Sequence, residues 1–169
     1  REVQDAFAAE SHRRAAAAQS SGRFDDEIVQ ITLPDGTLVT KDGGIRADSS
    51  AAGLARLRPV FKQGGTVTAG NSSQVTDGAA FVTLMSANKA AELEIAPVAW
   101  LRGYQVVGVD PEIMGVGPAY AIPALLKQTG LSADDIDIFE INEAFAAQAV
   151  YCVRELGLDP EKVTVNGGA

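Results

Sequence analysis

Cys152 is the only thiol and His12 the only imidazole in this chain of 169 residues, so nucleophilic or metal chemistry has few places to start. A cysteine becomes a nucleophile when a nearby base or positive field turns it into a thiolate. Neither stands beside Cys152 in sequence. With Phe145, Ala149 and Leu156 it falls at helical spacing on an apolar stripe, where a free cysteine packs as a small hydrophobe. Packing is its expected role. His12 sits between Ser11 and Arg13 on an alanine-rich helix, far in sequence from Cys152, and is expected to face solvent. One histidine and one cysteine cannot build a soft-ligand metal site, and the acidic residues lack the spacing of a calcium loop. No metal is expected.

Asn142 follows a predicted strand and precedes a predicted helix, which puts a neutral amide at a helix N-terminus. On position alone an N-cap is favoured, with Glu143 well placed against the helix dipole. The other use is to orient a water or to stabilise an oxyanion, which needs a rigid donor aimed where negative charge develops. Residues 66–80 are small, polar and punctuated by Gly70 and Gly78. Such a stretch lets the backbone approach a ligand closely, and it equally suits a buried loop. Gly115-Val116-Gly117-Pro118-Ala119-Tyr120 begins like a dinucleotide fingerprint, but Tyr120 replaces the last glycine and Pro118 has no N–H for a pyrophosphate. A tight turn feeding a helix explains the same letters.

These residues need elements to hold them. Residues 4–19 read as a helix, because Phe7, Ser11, Ala15 and Ala18 recur on one side. Ile28 to Leu33, then Pro34-Asp35-Gly36 and an extended stretch to Thr40, predict a hairpin. A short helix carrying Leu54 and Leu57 stops before Pro59. Residues 1–75 thus look like an excursion from a regular fold. After residue 75 strands and helices alternate: a buried strand from Ala79 to Met85, a helix from the N-cap Ser86 to Leu93, and an extended segment from Val98 to Val107. Then come a helix from Pro118 to Thr129 closed by Gly130, a turn at Ser132 to Asp135, and a strand from Ile136 to Ile141. A helix from Ala144 to Leu156 capped by Gly157 and a strand from Val163 to Val165 complete the pattern. Pro118 and Pro123 are expected near the first turns of their helix. This alternation predicts an α/β layered sheet.

Composition narrows the function. The chain carries 14 basic and 22 acidic side chains for a net charge of −8, a sign that repels a phosphate backbone. Nucleic acid is not an expected partner. Hydrophobic residues make up 46%, enough for a core, yet no apolar run approaches the ~20 residues that cross a bilayer. A soluble protein without a membrane partner is expected. A lone cysteine and no leader-like opening point to a reducing compartment. The first residue is Arg1, and Asn166-Gly167-Gly168-Ala169 follows a short strand with no closing helix. A fragment cut at both ends is expected.

Four blocks together resemble the thiolase family: Gly70-Asn71-Ser72-Ser73 with Asp77-Gly78-Ala79-Ala80; Gly108-Val109-Asp110-Pro111 with Met114-Gly115-Val116-Gly117-Pro118; Asn142-Glu143-Ala144-Phe145-Ala146-Ala147-Gln148; and Asn166-Gly167-Gly168-Ala169. They stand in the family's order, and the similarity extends over essentially the whole chain. Ser73-Gln74, Phe139-Glu140-Ile141 and Tyr151-Cys152 resemble the degradative 3-ketoacyl-CoA thiolases of the peroxisomal type more than the biosynthetic acetoacetyl-CoA enzymes.

The resemblance implies two similar α/β halves with a loop domain over the coenzyme A site. Residues 1–75 would be most of that loop domain, 76–95 the end of the first half, and 96–169 the start of the second. It implies thiolytic cleavage of 3-ketoacyl-CoA by coenzyme A in fatty-acid β-oxidation, giving acetyl-CoA and a shortened acyl-CoA. Coenzyme A would be a substrate, with no cofactor. In the family the nucleophilic cysteine lies before the position of Arg1, and the catalytic histidine and second cysteine lie beyond that of Ala169, so this chain alone would be inactive. Asn142 matches the residue that holds an oxyanion-hole water, which reverses the preference for a cap. Arg46, Phe61, Ala69 and Ser73 match residues that contact coenzyme A, and Met114, Ala144 and Phe145 match residues lining the reaction pocket. A homodimer or tetramer is implied, in bacterial cytoplasm or alternatively a peroxisome. A non-catalytic acyl-CoA or lipid-binding relative and a biosynthetic acetoacetyl-CoA thiolase are the rival readings, with a dinucleotide-binding module more distant.

Overall fold

In the computed structural model, which describes residues 1–168, helix α1 (Glu2–Ser20) is the organising element. Its buried face is Asp5, Ala8, Ser11, Ala15 and Ala18, the three-four spacing of one helical side. Alanine there lets other elements come close. Helix α2 (Ala51–Leu54) and helix α5 (Ala146–Glu155) pack on it, and Ala8, Leu54 and Ala146 form a small core with Phe7 beside them. The predicted hairpin is present as β1 (Ile31–Thr32) and β2 (Leu38–Val39), antiparallel, with Ile31 opposite Val39. Helix α3 (Ala87–Glu92) starts as expected, Ser86 accepting from the Lys89 N–H at 3.2 Å. A cap of this kind contributes about 1 kcal/mol.

Pro111–Val116 form a 3₁₀ segment leading into helix α4 (Gly117–Thr129). Gly130 closes α4 at φ 72°. Pro123 is the seventh residue of α4, so the expectation that both prolines lie in its first turns is corrected for this one. Helix α5 ends in a paired-bond cap: Gly157 N–H donates to Arg154 O at 3.2 Å and Leu158 N–H to Val153 O at 3.0 Å. Leu158 and Val153 then meet in the larger core with Phe139, Ile141 and Val163, the hydrophobic contact that accompanies such caps.

Four expected strands differ. Residues 79–85, 98–107, 136–141 and 163–165 form no ladder among the described residues. Ala79 to Met85 was expected to be buried, yet Phe81 is 95% exposed and Val82 85%. The physical reason is that a strand exists through its partner's hydrogen bonds, and no neighbouring strand among the described residues supplies them. Only Phe139 pairs, in a parallel bridge with Val163. That isolated bridge is what the predicted strands Ile136 to Ile141 and Val163 to Val165 amount to.

Candidate active site

Three loops converge on α1. The first, residues 66–74, is built around Asn71, only 3% exposed. Its side-chain oxygen accepts from Thr68 N–H at 2.8 Å, and its amide donates to Thr66 O at 3.0 Å and to Asp5 Oδ1 at 2.8 Å. Asp5 is 2% exposed, and its other oxygen takes the Arg1 guanidinium at 2.6 Å. A buried carboxylate is tolerable because it is paired and hydrogen-bonded. Gly70 permits the loop's close approach to α2: a Cβ there would lie 2.4 Å from Leu54 Cδ2.

The second loop, 142–145, is stitched to the first. Ser73 N–H donates to Ala144 O and Ala146 N–H to Asn71 O, both at 2.9 Å, and Ser72 bridges Phe145. Phe61 meets Phe145 edge-to-face, with ring centroids 6.0 Å apart. This arrangement adds about 0.5–1.5 kcal/mol beyond the area it covers.

The third loop, Asn166 to Gly168, sits against α1, with Gly168 N–H donating to Ser11 Oγ at 3.0 Å. Gly167 has φ 76°, and a Cβ on it would lie 2.3 Å from Ser11 O. Thr164 leads into this loop at φ 43°, a strained conformation for a β-branched residue that costs of order 1–3 kcal/mol. Ala169, the last residue of the motif, lies outside the described residues.

Between the loops and α1 lies a cleft of about 110 Å³, lined by Arg46, Ala69 and Ser73 together with Phe7, His12 and Glu143. Arginine suits a phosphate-bearing ligand. His12 is not the solvent-facing residue expected. It is half-buried, and its Nδ1 accepts from Arg46 N–H at 3.3 Å. Burial, then the Arg46 charge, hold its pKa below the ordinary value.

Of the expected site residues, Arg46, Ala69 and Ser73 line the cleft; Ala144 and Phe145 pair with the first loop and Phe61 meets Phe145, but none of these three lines it. Met114 does not line it and is 61% exposed. Asn142 is exposed. The capping alternative for Asn142 is corrected, because α5 begins at Ala146 with Phe145 in the cap position. Glu143, expected only to complement a dipole, turns inward and takes the Ser11 hydroxyl at 2.5 Å. Cys152 is fully buried, as a packing residue should be, and burial pushes its thiol pKa up. No group of three metal-binding side chains lies together, and no helix is long and apolar enough to cross a membrane, among the described residues.

The residues that sequence reasoning missed are Ser11, Glu143, Asp5 and Asn71 in their structural roles. The signal for Ser11 was present: a hydroxyl on the stripe shared by Phe7, Ala15 and Ala18.

Comparison with known proteins bears on the same residues. The thiolase N-terminal domain matches residues 1–88 and the thiolase C-terminal domain residues 95–169. Peroxisomal 3-ketoacyl-CoA thiolase B of Mus musculus and the peroxisomal 3-ketoacyl-CoA thiolase of Homo sapiens are each 55% identical over the whole chain. The chain spans 42% of the length of each of these two curated relatives. The crystal structure of the dimeric peroxisomal thiolase of Saccharomyces cerevisiae superposes with a TM-score of 0.96 at 52% identity, covering 99% of this chain and 43% of that one. Human mitochondrial 3-ketoacyl-CoA thiolase in complex with CoA gives 0.91 at 42% identity, covering 99% of this chain and 42% of the other. The described residues therefore have part of the layered α/β thiolase fold.

Proposed function

The chain belongs to the thiolase family, and from that premise we propose that the protein carrying it is a 3-ketoacyl-CoA thiolase. The reaction is thiolytic: a cysteine thiolate attacks the 3-keto carbon, acetyl-CoA leaves, and coenzyme A cleaves the acyl-enzyme. Cys152 is not that nucleophile, being buried and held as a neutral thiol. What this chain supplies is a binding loop and an amide. Arg46, Phe61, Ala69 and Ser73 hold coenzyme A, Ala144, Phe145 and Met114 wall the reaction pocket, and Asn142 holds the water that hydrogen-bonds the thioester oxygen as charge develops on it.

The observation that carries this reading is the backbone stitch between the two loops. Ser73 N–H to Ala144 O and Ala146 N–H to Asn71 O bind the small-residue loop to the segment that begins with Asn142. Coenzyme A held on one loop is thereby registered against the amide on the other. The cleft's Arg46 gives an anionic ligand its anchor.

Residues 1–75 act as the loop domain, 76–95 as the end of the first half and 96–169 as the start of the second. Coenzyme A is a substrate and no cofactor is needed. The dimeric yeast neighbour supports assembly of the complete protein as a homodimer. The relatives named as peroxisomal support a peroxisomal setting over the bacterial cytoplasm, although the Bacillus anthracis acetyl-CoA acetyltransferase is also a structural neighbour.

The test is Asn142→Ala in the complete protein. Turnover should fall by ~10²-fold, the scale for losing one oxyanion donor, with the melting temperature little changed because Asn142 caps no helix. Unchanged turnover would reduce Asn142 to an ordinary loop residue. A complete protein that binds coenzyme A yet cleaves no 3-ketoacyl thioester would instead be the non-catalytic relative.

A further inference from the structure

We infer that Glu143 is a positioning residue for Asn142 and works through Ser11; the inference rests on the role given to Asn142 above. Ser11 lies on the buried face of α1, 5% exposed. Its hydroxyl donates to Glu143 Oε2 at 2.5 Å and accepts from Gly168 N–H at 3.0 Å. One oxygen atom therefore fastens both the Asn142 loop and the Asn166–Gly168 turn to the same helix. Glu143 points its carboxylate into the protein, so its neighbour Asn142 is left at the surface where a thioester can reach it.

The surrounding packing gives this fastening no slack. A Cβ on Gly168 would lie 2.8 Å from Glu143 Cδ, and one on Gly167 would lie 2.5 Å from Ala15 N. Thr164, 4% exposed and at φ 43°, donates its N–H to Phe139 O at 2.8 Å and accepts Gly167 N–H at 2.9 Å. A buried β-branched residue keeps that conformation only when its surroundings over-determine it. Burial disfavours the charged form of the carboxylate; the Ser11 and Thr164 hydroxyls and the Arg14 guanidinium that face it oppose this in part, and Glu140 adds to it. Both hydroxyls and the guanidinium come from elements other than Glu143's own loop. The carboxylate is thus an anchor for its loop.

The experiment uses steady-state kinetics of the complete protein with Ser11→Ala, Glu143→Ala, Glu143→Gln and Asn142→Ala, singly and combined with Asn142→Ala. Ser11→Ala and Glu143→Ala should each lower kcat by ~10-fold or more with little change in KM, since a misplacement of about 1 Å can cost ~10²-fold. Glu143→Gln keeps an oxygen acceptor for Ser11 and should recover most of the rate. Adding Asn142→Ala to either alanine variant should make it no slower than Asn142→Ala alone. Fully additive losses, or alanine variants with normal kcat while Asn142→Ala is slow, would overturn this inference and leave the Asn142 role standing. A normal rate for Asn142→Ala would overturn both. If Glu143→Ala does not fold, the Ser11→Ala cycle answers the same question.

Discussion

Ser11 and Glu143 are 132 positions apart in sequence, and their side chains meet at 2.5 Å. The contact joins the first helix to the loop that opens the last one, across the boundary between the two family domains that the chain matches. A hydrogen bond to a carboxylate in a partly dry setting is worth about 1.5–3 kcal/mol. Its strength depends on the carboxylate staying buried and available.

Glu143 gives a pH signature. Burial is the largest influence on its carboxyl and raises the pKa above the ordinary 4.5, with Ser11, Thr164 and Arg14 opposing and Glu140 adding. The folded state then binds more protons than the unfolded one between 4.5 and the raised value. This contribution to stability is full below 4.5 and is lost as pH rises through the folded pKa. Glu143→Gln, which cannot ionise, should therefore gain melting temperature over the unmodified protein at pH 8 relative to pH 4. A difference that stays constant across that range would remove burial of charge as the cause.

Asn71→Ala should destabilise the complete protein by about 3 kcal/mol, the scale for removing one partner from a buried polar network. It deletes three hydrogen bonds and leaves Asp5, 2% exposed, with Arg1 as its remaining hydrogen-bond partner. Urea unfolding measures this directly. A loss below about 0.5 kcal/mol, the size of an ordinary surface change, would mean that water replaces the amide at no cost.

The chain as described exposes a large apolar surface. Phe81 is 95% exposed, Leu84 75%, Val98 103% and Trp100 64%. Apolar side chains exposed to this extent favour association. The isolated 169-residue chain should bind a hydrophobic dye or aggregate, and emission from its only tryptophan should be red-shifted and readily quenched by acrylamide. A monomeric chain with no dye binding and blue-shifted, shielded tryptophan would contradict this surface.

Helices were legible in the sequence because their information is local. The alanine stripe of α1, the Ser86 cap, Gly130 and Gly157 each signal their element within a few residues. Strands were less so. Val98 to Val107 reads as extended, but a ladder needs a partner that no local pattern names. The site divides the same way. Its motif residues are contiguous in sequence, whereas the inward turn of Glu143 depends on Ser11 and Gly168, more than a hundred residues apart in the chain. His12 departs from its expected exposure for the same cause, since Arg46 reaches it from another segment.

The stitch between residues 71–73 and 144–146, with α1 clamped to Gly168, means that the two ends of the chain grip one another without help from its middle. Residues 75–85 are exposed and form no helix or strand. Covalent continuity there is thus not what keeps the two sides of the cleft aligned. A proteolytic nick in that stretch would leave two peptides clasped together, and severing the backbone would be a gentler injury than losing a single buried hydroxyl.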